Sequence, residues 1–543
     1  METVSIILIL LVAVVVSGLL ARLLPVPLPI LQIFLGAVLS GTLGLGITLH
    51  PDVFFLVFLP PLLFLDGWRI PKRELFRDSG TIGALAVGLV LFTVLGIGLL
   101  VHAMIPSMPL PVAFALAAVL SPTDATALSA VTARAPVPDR LKNILAGESL
   151  LNDASGLVCL RFATVAALTG AFSLSDAVLT FAQLAAGGIA IGTVVSWTVM
   201  RGQRALVQHV GEDPAGQTLI SLLIPFGAYL LAEHLHTSGI LAAVAAGITM
   251  SYTENSGRVL GATRMRRTVV WDTVQFAANG VIFVLLGEQL PGILASAAKT
   301  LQEAGDRNAA WLAAYVLVIV VAMALLRLFW VWASMRLTLY RAARRGKAEP
   351  HVPRRVLLAT SLAGVRGAVT LAGVLTLPLT TLDGAPFPTR DLAIFLAMGV
   401  VLVSLVAATL LLPPLLRSLK LPAENAHAQE EQNARKAAAA AALQAIRLTE
   451  AEMAKGKAKN DVYTEAAARI SEPYILLTAS AETPQDALER GRQLLGAEKT
   501  MQLAALRAER EELYRLRRTR RIRDDTLRQL VDEIDLAVAR HSK

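Results

Sequence analysis

Carboxylates set into apolar sequence are the residues of this 543-residue chain best placed to do chemistry. In LAAVLSPTDATALSAV (116–131), Asp124 follows Thr123 and Pro122. In ILAGESLLNDASGLVCLRFATVA (144–166), Glu148 and Asn152 stand four apart and share one helix face, and Ser149 and Asp153 share the next. An ionised side chain at the centre of a bilayer costs at least about 2.5–3.5 kcal/mol, so such groups face a partner or an aqueous cavity. Carboxylate, amide, hydroxyl and carbonyl oxygens are hard donors that suit a small alkali cation. A carboxylate among them also takes a proton, and one guest excludes the other.

The elements that carry these residues have to span a membrane. Apolar residues make up 55% of the chain and charged residues 17%, against about 25% in soluble proteins. One cysteine excludes an internal disulfide. From Lys420 onward there are 22 Lys/Arg and 20 Asp/Glu, which leaves 28 and 21 of the totals 50 and 41 for residues 1–419. This predicts a membrane body, 1–419, and a charged helical tail, 420–543. The net charge of +9 lies mostly in the membrane body, where it points to membrane sidedness rather than to nucleic acid.

A bilayer crossing takes about 20 apolar residues. Candidate crossings fall near 3–24, 26–48, 51–69, 80–105, 110–132, 143–171, 177–200, 216–235, 238–252, 271–290, 309–338, 356–380 and 391–418. Basic clusters follow every second one: Arg69/Lys72/Arg73/Arg77, Arg134/Arg140/Lys142, Arg201/Arg204, Arg258/Arg264/Arg266/Arg267 and Arg341/Arg344/Arg345/Lys347/Arg354/Arg355. That alternation predicts an all-α polytopic membrane protein of thirteen helices, the N-terminus outside and the tail in the cytoplasm. Thirteen also divides into two inverted six-helix repeats around a seventh helix, with the fifth and twelfth crossings equivalent. The tail, with ARKAAAAAALQAIRL (434–448) and the basic run RLRRTRRIR (515–523), predicts two to four helices with a hairpin or short coiled coil.

Pro122 removes a backbone donor and disfavours helix at Ser121, so the fifth crossing should break beside Asp124. In LLATSLAGVRGAVTLAGVLTLPL (357–379), Arg366 lies mid-helix between Gly364 and Gly367. It needs an acid partner, Glu148 first and Asp124 second. If the two broken helices cross, Asp124 and Arg366 would each offset a misplaced helix dipole. Asp66 ends the third crossing, FLVFLPPLLFLDGWRI, as a further acid of the cavity or as an interfacial residue. Arg161 reads as one half of a structural charge pair, Cys159 as core packing and His236 as a surface group; Glu288 is open to either reading.

FLPPLLFLDGWRIP (58–71), LSPTDATAL (120–128), GESLLNDASGLV (147–158), HTSGILAAVAAG (236–247) and AGVRGAVTLA (363–372), in this order, resemble the bacterial sodium/proton antiporters of the monovalent cation:proton antiporter-1 family, relatives of the eukaryotic exchangers. The resemblance implies a homodimer in the cell (inner or plasma) membrane, with a core of crossed broken helices sliding against a dimerisation domain. It implies that Asp153 is the shared Na⁺ and proton site, and that Asp124, Ser149 and the Thr123 carbonyl help to coordinate. Asn152 would support the unwound helix, and Glu148 and Arg366 would form a structural ion pair. Members with Asn-Asp, as at Asn152–Asp153, are generally electroneutral. Aligned on Pro60–Pro61, the acid that helps bind the ion in some relatives falls at Leu65, whereas here Asp66 is one residue on, about 100° round a helix.

The expected activity is electroneutral exchange of Na⁺ (or Li⁺) for H⁺, one for one, by competition of proton and cation for Asp153, with no cofactor beyond the transported ions. K⁺/H⁺ exchange is the alternative of the same fold. An intramembrane hydrolase built on Asp124 with Asp153 or Ser155 lacks any GxGD, GxSG or HExxH pattern here. A cation channel would need no titrating site and would carry current.

Overall fold

The computed structural model describes residues 2–24, 26–43, 51–70, 72–132, 139–170, 174–211, 213–254, 261–303, 310–344, 354–381, 383–417, 425–454, 461–479 and 485–519, with Leu530, Val531, Ile534, Ala537 and Val538 beyond. Arg134, Arg258, Arg345, Lys347 and residues 520–523 of the basic run lie outside the described residues. The chain divides into two compact units, Met1–Lys420 and Leu421–Lys543.

In the first unit the helices are α1 Glu2–Leu23, α2 Leu28–Leu43, α3 Pro51–Arg69, α4 Lys72–Arg77, α5 Ser79–Gly83, α6 Val90–Met104, α7 Leu110–Leu120, α8 Ala125–Thr132 and α9 Asp139–Thr169. They continue as α10 Leu174–Val210, α11 Pro214–His234, α12 Gly239–Glu254, α13 Gly261–Glu303, α14 Ala310–Arg344, α15 Arg354–Leu362, α16 Ala368–Leu375 and α17 Arg390–Arg417. Among the described residues, eight helices are long and apolar enough to cross a membrane. Length alone misses α7–α8 and α15–α16 because residues 121–124 and 363–367 interrupt them, leaving halves of 8 to 11 residues.

The break at 121–124 has the cause expected from Pro122, and the break at 363–367 lies at the Gly364–Gly367 stretch. A π-helical turn, Ala84–Leu89, joins α5 to α6 and was not legible in the sequence. Its Ala84 carbonyl accepts a hydrogen bond from the Trp330 indole of α14 at 3.1 Å.

Close backbone packing sets one wall of the site. α3 lies directly on α12, so that a Cβ at Gly67 would overlap the Val244 carbonyl and one at Gly247 the Phe64 carbonyl. Small residues allow such approach where lipid offers no hydrophobic drive between helices. α3 is also tied to α13: Phe64 stacks on Trp271 with centroids 5.3 Å apart, and Arg69 donates to Gln275 Oε1 at 2.7 Å and pairs with Asp272.

Among the described residues the second unit holds the named helices α18 Asn425–Ala454, α19 Asp461–Ala479 and α20 Gln485–Arg518, where two to four helices were expected. α18 and α19 pack on each other through small residues, with Ala439 and Ala467 buried. On α20, Arg515 pairs with Glu512 at 2.6 Å on an exposed face.

Candidate cation and proton site

The two helix breaks meet. The Asp124 N–H donates to the Val365 carbonyl at 2.8 Å, joining one unwound stretch to the other. Asp124 then starts α8 as its N-cap: its Oδ1 accepts the Ala127 N–H at 2.9 Å and its carbonyl accepts the Leu128 N–H at 3.1 Å. The same carboxylate packs against Gly367, the residue before α16, where any Cβ would overlap it. A negative charge thus lies at the positive ends of two half-helices.

Arg366 does the converse. Its Nε donates to the Leu120 carbonyl at the end of α7 at 2.9 Å, and its Nη1 donates to the Gly364 carbonyl just past α15. These are the negative ends of the other two half-helices, so the guanidinium offsets both dipoles. The dipole roles reasoned for Asp124 and Arg366 have this geometry.

α9 runs unbroken past the meeting point and presents Glu148, Ser149, Asn152 and Asp153, all buried. The Ser149 hydroxyl donates to the Thr123 carbonyl at 2.7 Å. Asn152 Nδ2 donates to Thr123 Oγ1 at 2.9 Å, and the Thr123 hydroxyl donates to Glu148 Oε1 at 3.3 Å. α9 therefore holds the unwound 121–124 stretch in place. The Thr123 carbonyl keeps a second lone pair for a guest.

The expected Glu148–Arg366 ion pair is corrected by the structure. Glu148 pairs with Arg327 of α14, Nη1 to Oε1 at 2.5 Å and Nη2 to Oε2 at 2.6 Å, with 2% and 1% of the two side chains exposed. Arg327 Nε adds a bond to the Thr360 carbonyl at 2.9 Å. The reason is donor geometry: Arg366 spends its N–H groups on helix-end carbonyls, while the flat fork of Arg327 matches both carboxylate oxygens. Sequence reasoning missed Arg327, although an arginine in the interior of the apolar run 309–338 was the signal. Arg161 has Glu233 within 3.5 Å at a partly exposed position. His236 is exposed, and Glu288 is buried.

A cavity of about 30 Å³, enough for a water-sized guest, lies between these elements. Thr123, Asp124, Ser149, Asp153 and Thr370 contribute to its lining. Leu59, Leu62 and Leu63 of α3 and Asn279 of α13 line it as well. Among the described residues, the Asp153 carboxylate has no hydrogen bond or ion pair, although the side chain is buried. Asn152 Oδ1 is likewise buried without a hydrogen-bond partner.

A family model described as "Sodium/hydrogen exchanger, transmembrane" matches residues 7–418. The chain belongs to the sodium/hydrogen exchanger family. It is 41% identical over 546 residues to "Uncharacterized Na(+)/H(+) exchanger YjcE" of Escherichia coli, covering 99% of each. It is 39% identical over 416 residues to the "Sodium, potassium, lithium and rubidium/H(+) antiporter" of Bacillus pumilus, covering 76% of this chain and 61% of that one. The fold resembles that of the sodium proton antiporter MjNhaP1 from Methanocaldococcus jannaschii, with a TM-score of 0.58 at 21% identity, covering 77% of this chain and 99% of that one. Members of this family are transporters, not enzymes, and the exchanger is a multi-pass membrane protein.

In this exchanger Asp66 does not line the cavity but lies within electrostatic reach of both Asp124 and Asp153. Asn279 was also missed in the sequence. It stands in FAANGVIF with no spacing rule to single it out.

Proposed function

We propose that this chain is a secondary active antiporter that exchanges Na⁺ (or Li⁺) for H⁺, one for one, by competition of the two ions for Asp153. One observation carries the reading: Asp153 is buried, uncommitted to any described group, and lines a cavity with other oxygen donors. Of the other acids near the helix crossing, Asp124 is engaged in capping α8 and Glu148 in pairing Arg327. An uncommitted buried carboxylate must be neutralised, and either a proton or a sodium ion does so. Asp124, Ser149, the Thr123 carbonyl and the Asn152 amide oxygen supply further hard ligands. The empty anion is expensive to move through a low-dielectric seal, so only a loaded carboxylate changes sides. This couples the two fluxes without a second titrating group. Asp66 is proposed as an electrostatic neighbour of the site rather than a ligand.

The proposal includes thirteen crossings in two inverted repeats, an outside N-terminus and a cytoplasmic tail, in a cell-membrane homodimer. The meeting of two broken helices supports the repeat, since α7–α8 and α15–α16 play matching parts with opposite capping charges. A division near residue 420 is supported by the two contact units and by the end of the family match at residue 418.

The test is proton movement in proteoliposomes, read with a pH-sensitive dye and started with Na⁺, Li⁺, K⁺ or Rb⁺. Wild-type protein should dissipate a pH gradient on adding Na⁺ or Li⁺. Asp153→Asn should be silent while eluting as folded protein in detergent. Full activity of Asp153→Asn would remove the carboxylate from the mechanism.

A further inference from the structure

The cavity lining is of mixed chemistry. Thr123, Asp124, Ser149 and Asp153 come from the α7–α8 break and α9, Thr370 of α16 adds a hydroxyl, and α3 supplies Leu59, Leu62 and Leu63. Asn279 of α13 completes the polar part of the lining, and among the described residues it makes no hydrogen bond. A partly buried amide without a protein partner finds one in water or in a guest. The helix that carries it is held in place, because Phe64–Trp271 stacking and the bonds of Arg69 to Gln275 and Asp272 tie α13 to α3. Asn279 and Asp153 therefore line one space large enough for a single small guest.

We propose that Asn279 is a cation-specific ligand of this site: its amide oxygen contacts the alkali cation held by Asp153 and takes no part in binding the proton. The chemistry separates the two guests. A proton needs one oxygen, and the Asp153 carboxylate provides it. A cation that has shed its hydration shell needs several, and it shares this cavity with leucines as well as with oxygen donors. A neutral amide adds a donor without adding a second titrating group, so cation affinity rises and the one-for-one exchange is kept. The inference rests on the exchange reading above.

The experiment uses full-length protein in two formats. In proteoliposomes, Asn279→Ala should raise the Na⁺ KM about tenfold, the loss of one ligand, with Vmax within about twofold of wild type. Asn279→Ser, which returns a short oxygen, should recover most of the affinity, and Asn279→Val should not. In detergent, the thermal stabilisation given by NaCl over choline chloride should need correspondingly more salt in Asn279→Ala. Wild-type protein that neither moves protons with any of the four cations nor is stabilised by them overturns the exchange reading together with this inference. A working wild type with an unchanged KM and salt response in Asn279→Ala overturns this inference alone. So does a loss of Vmax in Asn279→Ala that serine fails to rescue, since that is the mark of a packing role.

Discussion

Breaking the Glu148–Arg327 pair should show in stability, and the structure says how the loss is shared. The two side chains are 1% and 2% exposed and meet through both carboxylate oxygens. Removing one partner strands a buried charge, which costs about 3–5 kcal/mol. Arg327→Met leaves the Glu148 carboxylate with the Thr123 hydroxyl as its one hydrogen-bond donor and with Arg366 as a charge within electrostatic reach. Glu148→Gln leaves the guanidinium of Arg327 with the Thr360 carbonyl and with Arg366 as a charged neighbour. Each single variant should therefore lose several kcal/mol of apparent stability. The double variant Glu148→Gln/Arg327→Met removes both charges and should lose much less than the sum, because replacing a buried pair by uncharged groups is often near neutral. The assay is thermal unfolding in detergent followed by the fraction still monodisperse, run as two double-mutant cycles, 148 with 327 and 148 with 366. The first cycle should give a coupling of about 3 kcal/mol or more and the second a small one, since Arg366 spends its donors on Leu120 and Gly364. Equal coupling in the two cycles, or a larger one with Arg366, would refute the pairing read from the structure.

Other perturbations separate roles within the site. Asp124→Ala removes the cap of α8 and should cost about 1 kcal/mol of stability, whereas Asp124→Asn keeps an acceptor for the Ala127 N–H. Asp124→Asn should thus fold and fail mainly in Na⁺ affinity, measured as KM in proteoliposomes. Gly367→Ala places a methyl on the Asp124 carboxylate and should abolish exchange, while Gly384→Ala, in a loop with open space around it, should leave transport intact although its positive φ makes it slightly less stable. One-for-one exchange moves no net charge, so a valinomycin-clamped potential should leave the rate of exchange unchanged; a rate that follows voltage would exclude that stoichiometry.

How much of this was legible in the sequence depended on whether a signal was local. Pro122 beside Asp124 announces its break because proline acts on its own residue and the one before. The acids of GESLLNDASGLV declare themselves because a charge in an apolar run has few harmless explanations. The partner of Glu148 was a different matter. Arg327 and Arg366 are both intramembrane arginines, 179 and 218 residues from Glu148 in the chain, and only the packing of α14 against α15 decides which one reaches it. Asn279 was invisible for the same reason: an asparagine near the middle of a long helix has no meaning until the cavity it lines is known to be acidic. The π turn at Ala84–Leu89 has no composition signal, and the group that meets its Ala84 carbonyl, the Trp330 indole, comes from another helix far along the chain.

The arrangement of charges explains why a crossing of broken helices suits an exchanger. Four half-helix ends inside a membrane would leave unpaired backbone groups and aligned dipoles in hydrocarbon. Asp124 answers the positive ends and Arg366 the negative ones, so the break carries its own neutralisation within two side chains. Glu148 and Arg327 add a second internally balanced pair that anchors Thr123. With those charges cancelling, and with Asp66 off the cavity lining, the charge state of the cavity itself turns on the carboxylate of Asp153. A proton or a monovalent cation each brings that site to the same net charge, and that equality lets the two ions substitute for each other in a single moving site. A divalent cation would leave an excess positive charge facing the leucines of α3, so Ca²⁺ should neither support proton exchange nor raise the apparent Na⁺ KM by competition, a comparison the same dye assay makes directly.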